Sequence, residues 1–530
     1  MVTGFGGRGS EAARSVAEWQ WWFLAAAVPL VFCASRLDLD LWYDEAYTLL
    51  IFVSRPWVSI ATDYSAPNNH ILYSLILRPF YLVSDSEFVL RLPSFLFTLG
   101  ALYGTFRLVR PWAGRPAAAM ATLQLGLTQM FLAHTMQLRG YGLSMCLAVW
   151  LAVLALPVGP AAGAAGRGAP AKGKRRVGRA GSAAGWAAAH RRPWLAALTA
   201  LFGAAFLYVM PTNVLFFVPL AAAACGLAGV WARSLQRGLV AAVPWCAATL
   251  LAGLLYLPVL DQLLEVGGQA RGISLNHVVE LTAAVFWAAL RDWLPAVGLA
   301  LVGLALLLLD RREADRRLFV FAGLLLVLTL GPFLVTLLLG IRPFVRNYCP
   351  LLPFLGAWVG LGLAHLFRIL GQRLRRRWSE PAQAVAGAAL LAAVAMPMVL
   401  TYPARLTAYR RAHEAQDGYY NYYAANYQPS QVVAYLRGHI DPERPYRIVF
   451  ARRDYFPLWF YLQREGVPPG RGPRGPETAI YLITPPRPDY RALSEASGLS
   501  PEQLQALPLI RDFGYYRLYG GVLSLVSRTM

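Results

Sequence analysis

The sequence is short of charge. Only 15% of its 530 residues are Asp, Glu, Lys or Arg, where a soluble domain carries about a quarter. Acid is the scarcer sign: 28 Asp and Glu stand against 49 Lys and Arg, a net charge of +21. Such a balance belongs with nucleic acid, an anionic membrane surface or a polyanionic substrate. Cysteine is scarce too. Cys33, Cys146, Cys225, Cys246 and Cys349 lie in or beside apolar runs and form no C-x-x-C pair. They read as small buried hydrophobes, which excludes a disulfide framework and a zinc site. The motifs G-x-x-x-x-G-K-[ST], H-E-x-x-H and G-x-S-x-G are absent, so the chemistries they carry are not expected. There is no internal repeat. The segment after Trp21 lacks a small-residue cleavage site and reads as a retained first span rather than a signal peptide.

What is present is apolar length. Hydrophobic residues make up 57% of the chain, and runs of the roughly 20 residues needed to cross a bilayer recur through the first 400 or so. Eleven spans are expected, near 20–36, 86–109, 116–134, 140–158, 194–210, 214–231, 238–259, 292–309, 318–340, 347–367 and 382–401. The stretch 277–291 reads as an interfacial helix or as part of the eighth span. Basic residues gather in alternate connections: Arg110 and Arg115; Lys172, Lys174, Arg175, Arg176 and Arg179; Arg191 and Arg192; Arg233 and Arg237. Further clusters are Arg311, Arg312, Arg316 and Arg317, then Arg373, Arg375, Arg376 and Arg377. All fall on one side if the N-terminus is cytoplasmic, as loops retained there do. The odd number of crossings then puts the C-terminus outside, and nucleic acid becomes an unnecessary partner.

Residues 159–193 are Ala, Gly, Arg and Lys with almost nothing to bury, and read as a disordered basic cytoplasmic loop. Binding of anionic lipid is its functional alternative. After Tyr402 no span remains. Helices are expected at Gln431–Gly438, Pro457–Arg464 and Pro501–Ala506, with strands at Tyr446–Phe450, Ala479–Ile483 and near Tyr515–Tyr519. The expected fold class is therefore mostly α: a polytopic transmembrane helical bundle over 1–401, followed by a small extracytoplasmic α/β domain over 402–530.

The first outside loop, 37–85, is the informative segment. It is too apolar to be disordered, and long loops in compact proteins are usually functional or disordered. Tyr43–Phe52 and His70–Phe80 each read as an amphipathic helix lying at the membrane surface, able to roof a cavity. Asp44 and Glu45 are adjacent carboxylates at that boundary. They read as a general base or acceptor-binding group, or as an acidic pair complementing a helix N-terminus. Adjacent helical residues point about 100° apart, so one of the two faces a cavity. Asp38 and Asp40 compete for the role.

At the outer ends of later spans stand Arg139 and Tyr141, and Arg342, Arg346 and Tyr348. Such arginines either snorkel to the interface or bind phosphate through the guanidinium fork. Charge is sparse on this side, which favours phosphate for Arg346. His70 follows Asn68 and Asn69. His277 and carboxylates on the same side leave a divalent metal open, but no ligand spacing supports one and no cofactor is expected. The tyrosines at 402, 409, 419, 420, 422, 423 and 427 read as an interfacial aromatic belt, or as a sugar-stacking platform.

These residues carry a resemblance. The motifs W-Y-D-E-A-Y at 42–47, N-N-H-I-L-Y at 68–73, R-L-P-S at 91–94, L-R-G-Y-G-L at 138–143 and R-N-Y-C-P-L-L-P at 346–353 fall in an order that resembles the GT-C class of integral membrane glycosyltransferases. The likeness covers essentially the whole membrane region. It is nearest to the family 39/83 branch, which holds protein O-mannosyltransferases and lipid A aminoarabinose transferases. The resemblance implies a polyprenyl-phosphate sugar donor and an inverting, single-displacement transfer on the outer side. The acceptor is a hydroxyl on protein, lipid or glycan.

In that scheme Asp44, beside Glu45, acts on the acceptor. Arg346 and Tyr348 lie near the donor phosphate, with Arg139, Tyr141, Asn69, His70 and Arg342 as further substrate-binding candidates. Many members carry H-P-P-L-Y where this chain has N-N-H, a departure that falls on His70. The Ala-, Gly- and Arg-rich composition fits a bacterial source, hence a multi-pass protein of the cell inner membrane with its C-terminus in the periplasm. Two rivals remain: a lipid-linked sugar transporter or flippase, and a glycan polymerase or ligase. A transporter places ionisable residues within spans near the midplane, whereas most charges here lie at span ends.

Overall fold

The computed structural model describes residues 6–156, 193–232, 234–269, 272–309, 316–374, 427–450, 455–472, 478–485, 488–513 and 515–522, and scattered positions between 389 and 401. The chain divides into two compact units. One is Met1–Arg36, Ala61–Ile76 and Arg91–Thr401; the other is Leu37–Ile60, Leu77–Leu90 and Tyr402–Met530. Two stretches of the first loop thus group with the C-terminal residues. The eleventh expected span, the basic loop and the tyrosines from 402 to 423 lie outside the described residues, scattered positions and Pro193 apart.

The first unit is helical. An apolar run in hydrocarbon must satisfy its own backbone N–H and C=O groups, and a helix does so within one segment. Among the described residues six helices are long and apolar enough to cross a membrane: Glu87–Ala113, Pro211–Val230, Leu235–Gly268, Leu275–Leu309, Leu318–Leu339 and Val345–Ile369. Trp19–Ala34, Tyr141–Ala155 and Pro193–Val209 are shorter apolar helices. Along Leu235–Gly268 the side chains of Leu235, Leu239, Val243, Leu250 and Leu254 are exposed, the surface such a helix turns to lipid.

The stretch 277–291, read as an interfacial helix or as part of the eighth span, is continuous with that span: Leu275–Leu309 is one helical stretch that tightens into a 3₁₀ turn at Arg291–Trp293. The run 116–134 is two helices, Arg115–Leu127 and Gln129–His134. They break at Thr128, whose ψ of 129° is extended. The Thr128 hydroxyl donates to the carbonyl of Gln124 at 2.6 Å, so a side chain competes for a backbone acceptor and bends the ladder.

Helix Leu352–Leu374 sits between Arg115–Leu127 and Leu294–Leu309. Close approach depends on small residues: a Cβ at Gly360 would meet the Ala117 carbonyl oxygen at 2.4 Å, and one at Gly362 the Ala300 oxygen at 2.2 Å. Dispersion between closely packed backbones holds such helices together where lipid offers no hydrophobic drive.

In the second unit the expected Tyr43–Phe52 helix is an α-turn, Tyr43–Tyr47, that widens into a π-helix at Thr48–Val53. The N–H of Ser54 reaches the carbonyl of Leu49. Among the described residues the C-terminal part holds five strands: β1 Tyr446–Phe450, β2 Gly470–Arg471, β3 Ala479–Thr484, β4 Leu509–Asp512 and β5 Arg517–Val522. Their order is β2-β1-β3-β5-β4. β1 and β3 are parallel and the other pairs antiparallel, so helix Tyr455–Arg464 lies on the crossover that a parallel pair requires. Val449, Ile480, Leu482, Leu493, Leu504 and Leu507 form the core of this part.

Two devices tie the loop stretches to it. Asp40 caps helix Pro429–His439, accepting from the Ser430 N–H at 2.8 Å and its hydroxyl at 2.9 Å. The Tyr461 hydroxyl accepts from the Leu41 N–H at 2.8 Å and donates to Glu87 at 2.7 Å.

Candidate functional site

In the first unit the turn between helices Gln129–His134 and Tyr141–Ala155 carries Arg139 and Tyr141. Both are buried, at 3% and 1% exposure. The turn is held from two sides. On one, the Ser94 hydroxyl donates to the carbonyl of Gln137 at 2.8 Å and pairs with the Tyr73 hydroxyl. Thr98 pairs with Thr135 at 2.6 Å. On the other, the Gly140 N–H donates to His70 Nδ1 at 2.7 Å. A Cβ at Gly140 would lie 2.4 Å from Val209 Cγ1 and 3.0 Å from His70 Nδ1, so only glycine admits this approach.

Tyr141 is the centre of the cluster. The rings of His70 and His134 meet it at 5.2 Å and 5.3 Å, and the Arg139 guanidinium lies 5.0 Å from its centroid. Burial first, then the charges of Arg139 and Arg346, hold His70 well below the usual histidine range. His70 is therefore neutral, with its proton on Nε2 because Nδ1 accepts from Gly140. Two cationic groups from distant parts of the chain act on one buried imidazole.

Arg346 enters through the 3₁₀ segment Val345–Leu351, its guanidinium 4.7 Å from the Phe344 ring. Tyr348 is fully buried. It stacks on Phe333 at 4.6 Å, and its hydroxyl pairs with Thr336, so it locks helices together. Arg342 is exposed and pairs with His277 Nε2 at 2.9 Å. Asn69 is engaged locally, donating to the Asp63 carbonyl at 2.7 Å and accepting from the Ser74 hydroxyl at 2.8 Å.

In the second unit Asp44 and Glu45 are both buried in the first turn of Tyr43–Tyr47. Glu45 accepts the Trp42 N–H at 2.9 Å, as a carboxylate in the first helical turn can do for the residue before it. Asp40, one of the two competitors, is the cap of another helix. Among the described residues no three His, Cys, Asp or Glu gather as a metal site would need.

Sequence reasoning missed His134, Tyr73, Ser94, Thr98 and Thr135. Tyr73 and Ser94 stand inside motifs already singled out, N-N-H-I-L-Y and R-L-P-S. The structure gives those motifs a purpose: they brace the arginine-bearing turn.

Neither a family model nor a curated protein sequence matches the chain. Solved structures do. The crystal structure of ArnT from Cupriavidus metallidurans bound to undecaprenyl phosphate is 16% identical, with a TM-score of 0.50, over 96% of this chain and 99% of that one. The apo state of the same protein is 15% identical, with a TM-score of 0.54 and the same coverage. ArnT is a lipid A aminoarabinose transferase of the GT-C class. At this identity the likeness is one of fold, and over nearly the whole of both chains the fold is that of the GT-C integral membrane glycosyltransferases.

Proposed function

We propose that the chain is an inverting glycosyltransferase of the cell inner membrane, moving a sugar from a polyprenyl-phosphate donor to an acceptor hydroxyl on the periplasmic side. The observation that carries this reading is the buried turn at Arg139, where the charges of Arg139 and Arg346 both act on His70. Two guanidinium groups that act on the same imidazole suit a phosphate whose charge is spread over several oxygens. The ArnT structure contains undecaprenyl phosphate, a ligand of that chemistry.

The acceptor oxygen attacks the anomeric carbon, the bond from that carbon to the phosphate oxygen breaks, and the polyprenyl phosphate leaves with the electron pair. Arg139 and Arg346 stabilise the charge that develops on it. The acceptor proton passes to Asp44. Asp44 is preferred to Glu45 because it matches the acidic position of the resemblance, and adjacent helical side chains point about 100° apart.

The test uses the purified protein in lipid nanodiscs. Asp44→Asn lowers turnover of a polyprenyl-phosphate sugar by about 10² to 10⁴, the usual worth of a general base, and leaves donor affinity unchanged. Arg346→Lys keeps the charge, loses the fork and weakens donor binding; Arg346→Ala weakens it further. Normal binding and turnover in both arginine variants would reduce Arg346 to an interfacial anchor. Wild-type turnover in Asp44→Asn, with Glu45→Gln or Asp40→Asn inactive, moves the base to another carboxylate.

A further inference from the structure

The C-terminal part of the second unit has a cavity of about 580 Å³, within the range of small-ligand sites. β1 forms one wall, with Gly470 and Arg471 of β2 at its edge and Ser497–Leu499, the end of helix Tyr490–Ser497, closing it. Trp459 and Pro469 line it and also line an adjoining cavity of about 280 Å³. No Asp or Glu is among the described lining residues.

The arginines sort this site from the rest of the surface. Arg437 pairs with Glu465, Arg444 with Asp441, Arg464 with Glu87, Arg491 with Glu495 and Arg517 with Asp512. Arg511 stacks on Tyr435 and Phe513. Arg447 and Arg471 make no ion pair or ring contact among the described residues, and both line the cavity. The register sets Arg447 opposite Gly470, where a Cβ would come within 3.4 Å of Arg447 Cγ. The missing side chain leaves the arginine room beside the opening.

We propose that this cleft binds an anionic saccharide, with Arg447 and Arg471 taking its carboxylate or phosphate and Trp459 and Pro469 packing on the C–H face of a ring. Guanidinium forks recognise such oxyanions in bidentate fashion, and an indole offers a broad apolar face with a polar edge. An acidic peptide fits less well. Its main chain would have to extend the sheet at β2, and β2 is only two residues long. The site lies wholly within the second unit and does not depend on the donor reading.

The experiment is a binding titration of the full-length protein, in phosphatidylcholine nanodiscs at near-physiological salt, against three probes. These are a hyaluronan tetrasaccharide, which carries glucuronate carboxylates, neutral chitotetraose, and a hexapeptide of glutamate. The hyaluronan probe binds and chitotetraose does not. Arg447→Gln and Arg471→Gln each weaken binding roughly tenfold, the scale of a charge-assisted contact. Trp459→Ala loses it, and Trp459→Phe, which keeps an aromatic face, retains most of it. Arg346→Ala leaves the titration unchanged, so failure here and failure of the donor reading are told apart. Equal binding of the neutral and anionic sugars, wild-type affinity in both arginine variants, or binding of the glutamate peptide alone overturns the proposal. So does an absence of binding by the hyaluronan probe.

Discussion

At the turn bearing Arg139, one hydrogen bond sets the tautomer of a histidine. His70 Nδ1 accepts from Gly140, and a proton on Nδ1 would turn that acceptor into a second donor. Its folded pKa is depressed by burial and by the two arginines, while an unfolded histidine titrates near ~6.5. As pH falls through that value the unfolded chain takes a proton that the folded one refuses. The stabilisation is therefore complete above about 6.5 and declines as pH falls toward the folded value. Thermal unfolding in detergent should show a midpoint that drops between neutral pH and pH near 5. His70→Gln, which titrates nowhere in this range, should lower the midpoint at neutral pH and flatten the slope. Identical slopes in the two proteins would mean that His70 contributes none of it. The same scale separates the two carboxylates of the first loop. Glu45 accepts from the Trp42 N–H, and adjacent helical side chains point about 100° apart, so Asp44→Asn and Glu45→Gln should differ in their effect on turnover.

Among the elements, helix Pro429–His439 starts without a cap of its own, since the Gln428 side chain makes no capping bond. Asp40 supplies one from the first loop. Asp40→Ala removes both bonds, a loss of about 0.5 to 2 kcal/mol for a cap. Hydrogen exchange at the amides of 430–433 should accelerate accordingly, while Asp40→Asn, which still accepts, should change little. Unaltered exchange in Asp40→Ala would show that the helix start is held by other contacts. Local sequence made some elements legible and left others hidden. Tyr446–Phe450 announces itself as a strand through Ile448, Val449 and two aromatic residues. β2 is Gly-Arg and has no strand propensity; it pairs only because the edge of β1 is there to receive it. The break at Thr128 was hidden for the opposite reason, because the apolar run continues straight through it.

For the whole molecule, the charge bias of the connections predicts an odd number of crossings from a cytoplasmic N-terminus. A phosphatase reporter fused after Met530 should be active, and one fused at Gly181 silent. The reverse pattern would overturn the orientation and, with it, the assignment of the donor site to the periplasmic side.

Membrane residence was settled by local sequence, because crossing a bilayer requires only length and apolarity within one segment. The residue types of the candidate donor site were equally local: arginine beside tyrosine in two short motifs at span ends. Which of those residues meet was decided by tertiary structure. Arg139, Arg346, His70 and His134 come together because separate helices bring them there. Arg342 turns instead to His277, and Asn69 is engaged by its own loop. Asp40 is a cap only because residues 427–439 fold against it. Apart from the Asn69 contacts, which stay within its own loop and the helix start beside it, each outcome depends on a contact between positions far apart in the chain, and no local pattern records which partner a side chain will find.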